Sequence, residues 1–196
     1  GLGEDVDSDV PAYVDLGTDR HALMSERDND DDGIVNILDP FPDGCPSGHY
    51  ATNGTCELVE PGHYTNDLPP YERFTCQPGT YQPSYGQLDC IDASPGHYVT
   101  DPASISQIPC AVGSYQPDLG ELSCIQSDPG NYVSNEGSIR QNQCSLGTYQ
   151  PSSGAADCID ASPGYYVNDF ASEEQTLCAA GTYQILSGAT SCFQAG

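Results

Sequence analysis

The chain repeats the triplet Gly-x-Tyr nine times, and after the first interval every repeat follows the last at a distance of 17 residues. The first interval, from Gly48 to Gly62, is shorter. A fixed period of this length is typical of chains built from small stacked units that contact mainly their neighbours. The sequence therefore predicts an all-β, elongated, solenoid-like rod of nine small disulfide-rich repeats with almost no helix. Each repeat is named here by its glycine: Gly48, Gly62, Gly79, Gly96, Gly113, Gly130, Gly147, Gly164 and Gly181.

The cysteines divide these repeats into two alternating kinds. Cys-bearing repeats have one cysteine three residues before the glycine and another eleven residues after it, and the first repeat has a shortened version of this spacing. The ten cysteines are Cys45, Cys56, Cys76, Cys90, Cys110, Cys124, Cys144, Cys158, Cys178 and Cys192. The intervening repeats have Ala or Ser at the first of these positions (Ala93, Ser127, Ala161) and Gln at the second (Gln107, Gln141, Gln175). The full period is thus two repeats, a bridged one followed by an open one.

Two pairing schemes are compatible with this spacing, because connectivity does not follow from sequence alone. Pairing within each repeat uses all ten cysteines and agrees with their loss in pairs, so we favour it. Pairing across the Cys-free repeats, beginning with Cys56 and Cys76, leaves Cys45 and Cys192 over and available to join successive molecules. Either scheme closes short loops, and each bridge is expected to contribute about 3 kcal/mol by restricting the unfolded chain.

Disulfides are needed because the chain has little with which to build a large core. It has no Trp, four Phe and one Met, while Tyr contributes 13 residues, Gly 21 and Pro 16. A regular cysteine framework of this density is typical of an oxidising compartment outside the cytoplasm. We therefore expect an extracellular protein, secreted or on the cell surface.

Within a repeat, the remaining invariant positions predict a short hairpin. Gly86, Gly120, Gly154 and Gly188 follow the first glycine by seven residues, where a turn with positive φ would explain them. The tyrosine two residues after the first glycine would lie in a strand of about three residues. We expect the tyrosines to pack between neighbouring repeats and disulfides; glycan stacking on the rings is the alternative use.

The charge excludes several classes of partner. Four Arg and no Lys oppose 29 acidic residues, for a net charge of −25. Thirteen of the acids and two of the arginines lie in residues 1–44. Such a surface repels phosphate backbones and anionic membranes and attracts divalent cations, so nucleic-acid binding is not expected. No apolar run approaches membrane-spanning length, and no membrane insertion is predicted for this chain.

Residues 28–39 have the spacing of an EF-hand-type calcium loop. Side-chain oxygens fall at loop positions 1, 3, 5, 9 and 12, a backbone carbonyl at position 7, and Gly33 at position 6 permits the sharp turn. The predicted Ca²⁺ ligands are Asp28, Asp30, Asp32, Ile34 through its carbonyl, Asn36 and Asp39. Upstream, Asp5, Asp7 and Asp9 have no accompanying glycine or twelfth-position acid, and simple solvation explains them. We divide the chain into an acidic extended arm (1–27), a calcium loop (28–44) and a repeat rod (45–196).

Two family resemblances agree with this division. Residues 28–43 resemble the calcium loops of thrombospondin type 3 repeats and dockerins, which also use Asp at the last ligand position. Pro40 and Pro42 stop any helix leaving the loop, so a two-helix switch is not expected. In residues 45–196, the pattern C-x-x-G-T-Y-x4-G-x3-C resembles the cysteine-rich repeats of ephrin-receptor-like and tumour-necrosis-factor-receptor-like ectodomains. That resemblance implies disulfide-closed hairpins strung into an extracellular array; the regular Cys-free repeat departs from it.

No pattern indicates catalysis, and an enzyme is not expected. His49, His63 and His97 directly follow the repeat glycine, where other repeats have Thr, Ser, Asn or Tyr, so we expect exposed positions rather than a metal or base. Asn53-Gly54-Thr55 is the one N-glycosylation sequon, and it falls in a turn, where an acceptor belongs. Asn53 is therefore the predicted glycosylation site.

These observations favour an extracellular structural protein, a calcium-stabilised and disulfide-bonded rod that serves as a stalk or as the subunit of a surface fibre. Solenoids normally have polar caps, and the N-terminal arm could dock onto the open end of another molecule, so we expect head-to-tail self-association. The alternative is the ligand-binding ectodomain of a receptor or adhesin. Near-identical repeats, such as the I-D-A-S-P-G shared by the Gly96 and Gly164 repeats, argue against a single specialised ligand patch.

Overall fold

A computed structural model describes residues 44–196, and in this range the chain is folded entirely as strands and turns, with no helix. Eighteen strands pair as nine separate antiparallel hairpins, one for each Gly-x-Tyr repeat. The all-β, disulfide-rich repeat architecture predicted from the sequence is thus confirmed. The predicted calcium loop and the acidic arm lie outside the described residues.

The described chain forms two compact bodies. The first comprises the described residues up to Thr75 together with Ser84–Asp89, and the second comprises Cys76–Pro83 and Cys90–Gly196. The strands of the first body are β1 His49–Thr52, β2 Thr55–Leu58, β3 His63–Thr65 and β4 Arg73–Thr75. The strands of the second body are β5 Thr80–Tyr81, β6 Ile91–Asp92, β7 His97–Tyr98, β8 Ile108–Pro109, β9 Ser114–Tyr115, β10 Ile125–Gln126, β11 Asn131–Tyr132, β12 Asn142–Gln143, β13 Thr148–Tyr149, β14 Ile159–Asp160, β15 Tyr165–Tyr166, β16 Thr176–Leu177, β17 Thr182–Tyr183 and β18 Phe193–Gln194.

In the first body, β1 and β2 form the longest hairpin of the described chain. Their register places Thr52 opposite Thr55, so Asn53 and Gly54 alone make the turn. Both have positive φ, +49° and +74°, which is the geometry of the two-residue turn that matches the twist of a hairpin. Asn-Gly is the residue pair that adopts this turn with least strain, and the local sequence therefore dictates the hairpin.

In the second body, every strand has only two residues, shorter than the three predicted. The repeat tyrosine lies directly opposite the residue immediately after the second cysteine position, as in the pairs Tyr81–Ile91 and Tyr115–Ile125. The chain between paired strands turns at the predicted glycine, with φ between +68° and +71° at Gly120, Gly154 and Gly188. Gly86, which belongs to the first body, has a φ of +65°. The positive φ inferred from the seven-residue spacing is confirmed.

Successive hairpins of the second body are joined by a recurring set of backbone hydrogen bonds. The amide of the repeat glycine donates to a carbonyl of the next repeat, for example from Gly113 to Val133 at 2.7 Å. The amide three residues after that glycine also donates to the next repeat, as from Gln116 to Ser138 at 3.0 Å. Two-residue strands cannot stabilise isolated hairpins. The bonds to the next repeat satisfy the backbone groups that the short strands leave free.

In the second body, the repeats from Gly79 to Gly147 also contact the repeat after next. A Cβ added at Gly113 would clash with the carbonyl of Gly154, the turn glycine of the second repeat onward, and a Cβ at Gly96 would clash with Gly137 in the same way. Cys-bearing repeats therefore stack on Cys-bearing repeats, and Cys-free repeats on Cys-free ones. The two-repeat period of the sequence is therefore the interval between repeats that contact each other through their glycines.

The core of the second body is a narrow column of small and medium side chains. In the repeats from Gly79 to Gly164, the positions three residues before and three residues after the repeat glycine are buried; in the Gly181 repeat Gln184 is buried and Cys178 is half-buried. The first is Cys or its replacement, such as Cys110 and Ala93; the second alternates between Gln in Cys-bearing repeats and Val in Cys-free ones. Such a core has too little apolar volume to hold a domain alone, which agrees with the density of disulfides.

All ten cysteines are paired within their own repeats: Cys45–Cys56, Cys76–Cys90, Cys110–Cys124, Cys144–Cys158 and Cys178–Cys192. The Cα–Cα distances are 5.5 to 5.8 Å, in the usual range for a disulfide. This is the within-repeat scheme, and no cysteine is left free to join molecules covalently.

Candidate functional site

Of the two predicted sites, the calcium loop and the glycosylation site, the structure describes only the second. The Ca²⁺ ligands Asp28, Asp30, Asp32, Ile34, Asn36 and Asp39 lie outside the described residues, and their use remains a prediction. Asn53, in contrast, is exposed at the tip of the β1–β2 hairpin with φ +49°. Its sequon partner Thr55 donates its hydroxyl to the carbonyl of Thr52 at 2.8 Å, across the turn. Asn53 is therefore accessible to solvent in a turn.

In the Gly113, Gly147 and Gly181 repeats, a buried glutamine holds the disulfide loop from inside. In the Gly113 repeat, the side-chain amide of Gln116 donates to the carbonyl of Ser123, the residue before Cys124, at 2.9 Å. Its Oε1 accepts from the backbone N–H of Asp118 at 3.1 Å. Gln150 and Gln184 make the same two bonds in their own repeats. A buried amide with both ends satisfied fixes the shape of the loop, since leaving either end unpaired would be costly.

The Cys-free repeats are closed by a different device. The Oε1 atoms of Gln107, Gln141 and Gln175, at the second cysteine position, accept from the backbone N–H of Ser94, Asp128 and Ser162, one residue beyond the first cysteine position. These bonds are 2.6 to 2.7 Å long. The Cys-free repeats have no disulfide, as predicted, but a side-chain-to-backbone hydrogen bond, which we call the glutamine clasp, spans the place where the disulfide would be.

The Gly62 repeat uses charge at the same two positions. Its second cysteine position is Arg73, which forms an ion pair with Glu60, one residue beyond the first position. The Arg73 guanidinium also lies 5.2 Å from the ring centre of Tyr50, and Glu60 lies 3.7 Å from the ring nitrogen of His63. Arg73 is partly exposed, so solvent weakens the pair, and we assign it a structural role in closing the repeat.

Tyr50 is the one described residue of this cluster with a resolved change in acidity. Its hydroxyl donates to the Glu57 carboxylate at 2.9 Å, directly across the β1–β2 pair. That hydrogen bond, together with partial burial and the charge of Glu57, raises the pKa of Tyr50 above its usual value; Arg73 opposes the change. Ionising Tyr50 would remove the donor and place two negative charges together.

The three histidines that follow repeat glycines have a local backbone role. The Nδ1 atoms of His49, His63 and His97 lie 3.1 to 3.3 Å from the carbonyl two residues earlier. Residues 44–196 contain no group of three His, Cys, Asp or Glu side chains that could hold a metal ion. Within the same range, no helix is long and apolar enough to cross a membrane.

The repeat tyrosines are mostly half-buried within their own hairpins. In residues 44–196 the ring–ring contacts are within single hairpins: Tyr64 with Phe74 at 5.3 Å and Tyr183 with Phe193 at 6.0 Å between centroids. Opposite several other tyrosines stands an exposed isoleucine, such as Ile91, Ile125 or Ile159. The hairpins thus carry aliphatic groups on their surface as well as in their narrow core.

Comparison with protein-family models and with curated proteins found no match. The assignment of function therefore rests on the residues and the geometry.

Sequence reasoning missed the buried glutamine and the clasp, although the signal for both was present. Three residues after the repeat glycine, glutamine in the Cys-bearing repeats alternates with valine in the Cys-free ones; the glutamines are Gln82, Gln116, Gln150 and Gln184. A polar residue that recurs only with the disulfides indicates a buried hydrogen-bond partner rather than a solvated side chain. In the sequence, the Gln at the second cysteine position marks only the absence of a cysteine. Its hydrogen bond needed the backbone geometry of the repeat.

Proposed function

We propose that this chain is an extracellular structural protein, stabilised by calcium and disulfides, that acts as a stalk or as the subunit of a surface fibre. The observation that carries the proposal is the repetition of one set of contacts. The glycine-to-carbonyl stacking, the hydrogen bonds to the next repeat and the closed loops recur from hairpin to hairpin through the second body. A chain that repeats its interfaces in this way is suited to spacing and mechanical continuity.

Disulfide density supports the location of this function outside the cytoplasm, where such bonds form and persist. The resemblance of the Cys-bearing repeats to ephrin-receptor-like and tumour-necrosis-factor-receptor-like repeats supports the same assignment. Calcium bound at Asp28, Asp30, Asp32, Ile34, Asn36 and Asp39 would make the acidic segment before the first hairpin rigid. A glycan on Asn53 fits the exposed hairpin tip.

Head-to-tail self-association is the second part of the proposal. In the stacked repeats, the glycine faces a carbonyl of the repeat after next, as Gly113 faces Gly154. A repeat of another copy that stacked in the same way would extend the array by contacts that the chain already makes within itself, giving a heterologous, non-closing assembly.

Electron microscopy of native material, with calcium and with a chelator, tests the proposal. We expect filaments or end-joined particles in calcium and shorter or dissociated ones after chelation. Single particles of one size in both conditions would contradict the fibre.

One observation favours the alternative, a receptor or adhesin ectodomain. The residue after the repeat glycine is Thr or Ser in the Cys-bearing repeats of the second body, but His97, Asn131 and Tyr165 in its Cys-free repeats. Partly exposed side chains that differ from repeat to repeat could recognise a ligand. A binding partner whose affinity falls on changing one of these three residues, with folding unchanged, would favour this function over the structural one.

A further inference from the structure

Residues 74–196 contain a single Arg or Lys, which is Arg140. It lies in the Cys-free Gly130 repeat, between the turn at Gly137 and strand β12. Its side chain is exposed, and neither of the two ion pairs formed within residues 44–196 includes it. The other described arginine, Arg73, belongs to strand β4 and pairs with Glu60. Of the two, Arg140 alone is outside a strand and without an ion pair.

The sequence around Arg140 is free of acidic side chains. Residues 137–144 read Gly-Ser-Ile-Arg-Gln-Asn-Gln-Cys, although the chain has 29 acidic residues. An enzyme that recognises arginine does so through a carboxylate, which an acid beside the arginine repels. The three other arginines each follow an acid directly, in Asp19-Arg20, Glu26-Arg27 and Glu72-Arg73. Arg140 is therefore the arginine of this chain best suited to recognition by such an enzyme.

The backbone carbonyl of Arg140 accepts no hydrogen bond from any residue in the range 44–196. In three Cys-bearing repeats, the carbonyl at the same position accepts from the buried glutamine at 2.8 to 3.0 Å; these are the carbonyls of Ser123, Asp157 and Ser191. The Gly130 repeat has Val133 in place of that glutamine, and a valine side chain has no donor. The difference between the two kinds of repeat thus leaves the Arg140 carbonyl open to attack.

The loop that carries Arg140 is closed by hydrogen bonds and not by a disulfide. Gln141, the next residue, accepts from the backbone N–H of Asp128 at 2.7 Å in the glutamine clasp, and its amide donates to the Asp128 carboxylate at 2.8 Å. A protease acts on the fraction of molecules in which such a loop has opened. Because a hydrogen-bonded closure opens more readily than a covalent one, this repeat is more accessible to a protease than its Cys-bearing neighbours.

We propose that the Arg140–Gln141 peptide bond is a cleavage site for an arginine-specific endopeptidase whose specificity pocket carries a carboxylate. Hydrolysis adds one water across this bond: the C–N bond breaks, Arg140 gains a carboxylate and Gln141 gains an amino group. No disulfide joins the residues before the cut to those after it, because every bridge lies within one Cys-bearing repeat. A single cut therefore divides the array into two covalently separate pieces, whether the chain serves as a stalk, a fibre subunit or a receptor.

Trypsin, which has an Asp in its specificity pocket, is the probe. The full chain, with its disulfides intact, is digested at a low trypsin concentration, and the products are separated in denaturant without reductant and identified by mass. We expect fragment 141–196 to appear at least ten times faster than any product of cleavage at Arg73, and Arg140→Gln should abolish it. Earlier cleavage at Arg73 overturns the inference. So does a native chain left uncut at Arg140 under conditions in which the reduced, unfolded chain is cut there.

A matched variant moves the arginine to another Cys-free repeat. Arg140→Ser with Ser106→Arg creates the same Ile-Arg-Gln sequence in the Gly96 repeat, at a position that is also exposed and also followed by a clasp glutamine. We expect cleavage after position 106 at a rate within about threefold of that after Arg140 in the wild type. A resistant variant would contradict the accessibility assigned to Cys-free repeats.

The contrasting variant moves the arginine into a Cys-bearing repeat. Arg140→Ser with Ser123→Arg places it where the carbonyl accepts from Gln116 and the next residue, Cys124, is bridged. Once thiol titration has shown that all bridges are formed, cleavage should be at least ten times slower than in the wild type, and its products should separate only after reduction. Equal rates would show that an exposed arginine suffices in either kind of repeat, which overturns the role of the free carbonyl and the clasp.

Discussion

Gly113 must be glycine for two separate reasons, its backbone conformation and its contact with another repeat. Its φ is +81°, a conformation that residues with a side chain rarely adopt, and its α-carbon faces the carbonyl of Gly154 in the repeat after next. The first requirement explains a glycine in a turn, and the second explains why it recurs with the repeat. Gly181 has a similar φ of +83° but no atom within 4 Å of an added Cβ. The two glycines therefore separate backbone strain from loss of stacking.

Gly113→Ala should destabilise the protein more than Gly181→Ala. Both changes place a side chain in the left-handed region, at about 1–2 kcal/mol each. Only Gly113→Ala also forces the stacked backbone of Gly154 apart. The free energy of unfolding, from denaturant titration with the disulfides intact, should fall by at least about 1 kcal/mol more for Gly113→Ala. Equal losses would show that stacking through glycine contributes nothing.

Tyr50 should ionise at a higher pH than an ordinary tyrosine. The Glu57 hydrogen bond raises its pKa in the folded state, so the folded protein holds this proton more tightly than the unfolded chain. The stabilisation is complete below the tyrosine value of about 10 and is lost as the pH rises through the raised pKa. The difference between the ultraviolet titrations of wild type and Tyr50→Phe should show one late-titrating tyrosine. Glu57→Gln should bring that titration to lower pH; no change would contradict the assigned cause.

At the scale of the element, the Cys-bearing and Cys-free hairpins are two solutions to one closing problem. The loop from the first to the second cysteine position is closed by a disulfide in the Gly113 repeat and by the glutamine clasp in the Gly96 repeat. The backbone hydrogen bonds to neighbouring repeats are the same in both kinds of hairpin. The backbones of the two kinds are therefore interchangeable. The clasp is the weaker closure, since a hydrogen bond contributes about 1 kcal/mol and a short-loop disulfide about 3.

Ala93→Cys with Gln107→Cys should form a sixth disulfide in the Gly96 repeat. These residues occupy the two cysteine positions, with Ala93 buried like Cys110. Mass spectrometry of the unreduced protein should show no free thiol, and unfolding should require about 2 kcal/mol more than in wild type, the bridge less the lost clasp. Gln107→Ala is the control and should cost about 1 kcal/mol. Two free thiols in the folded double variant would show that the backbones of the two kinds of repeat differ at the cysteine positions.

For the whole molecule, the repeats explain why a chain with few large apolar residues can fold at all. Each hairpin is too small to be stable alone, and its backbone groups are satisfied by its neighbours. Stability therefore depends on the length of the stacked array and on what rigidifies its ends. The predicted calcium loop and the proposed contact between copies both act at this scale.

The intact chain should bind one Ca²⁺ through the predicted loop. Removing two ligands, Asp28→Ala with Asp32→Ala, should abolish the binding heat in calorimetry, because the remaining oxygens cannot complete the coordination shell. Asp5→Ala with Asp7→Ala removes equal charge from the upstream acids and should leave binding intact. Wild-type stability should rise by about 2.7 kcal/mol at a calcium concentration about 100 times the dissociation constant, if the folded state alone binds. Equal binding by both variants would indicate nonspecific attraction to the acidic arm.

The sequence by itself determined the repeated hairpin of this protein. Period, glycine positions and the paired loss of cysteines predicted nine hairpins, their positive-φ turns at Gly86, Gly120, Gly154 and Gly188, and the favoured cysteine pairing, because each depends on residues near one another in the chain. Strand length was overestimated, since the two-residue strands end where the bonds to the next repeat begin. The sequence could not show that the glutamine at position 107 closes its repeat, since that requires knowing which backbone amide it faces.

Only the tertiary structure decided how repeats contact one another. Stacking between a repeat and the second one after it depends on the direction in which each short hairpin leads into the next, and no local pattern encodes that direction. The same geometry distinguishes the buried glutamines from the exposed Ile185 and Leu186, although all of them belong to the same repeated hairpin. Local residues fixed the hairpin, and packing between hairpins fixed which of its side chains form the core and which remain on the surface.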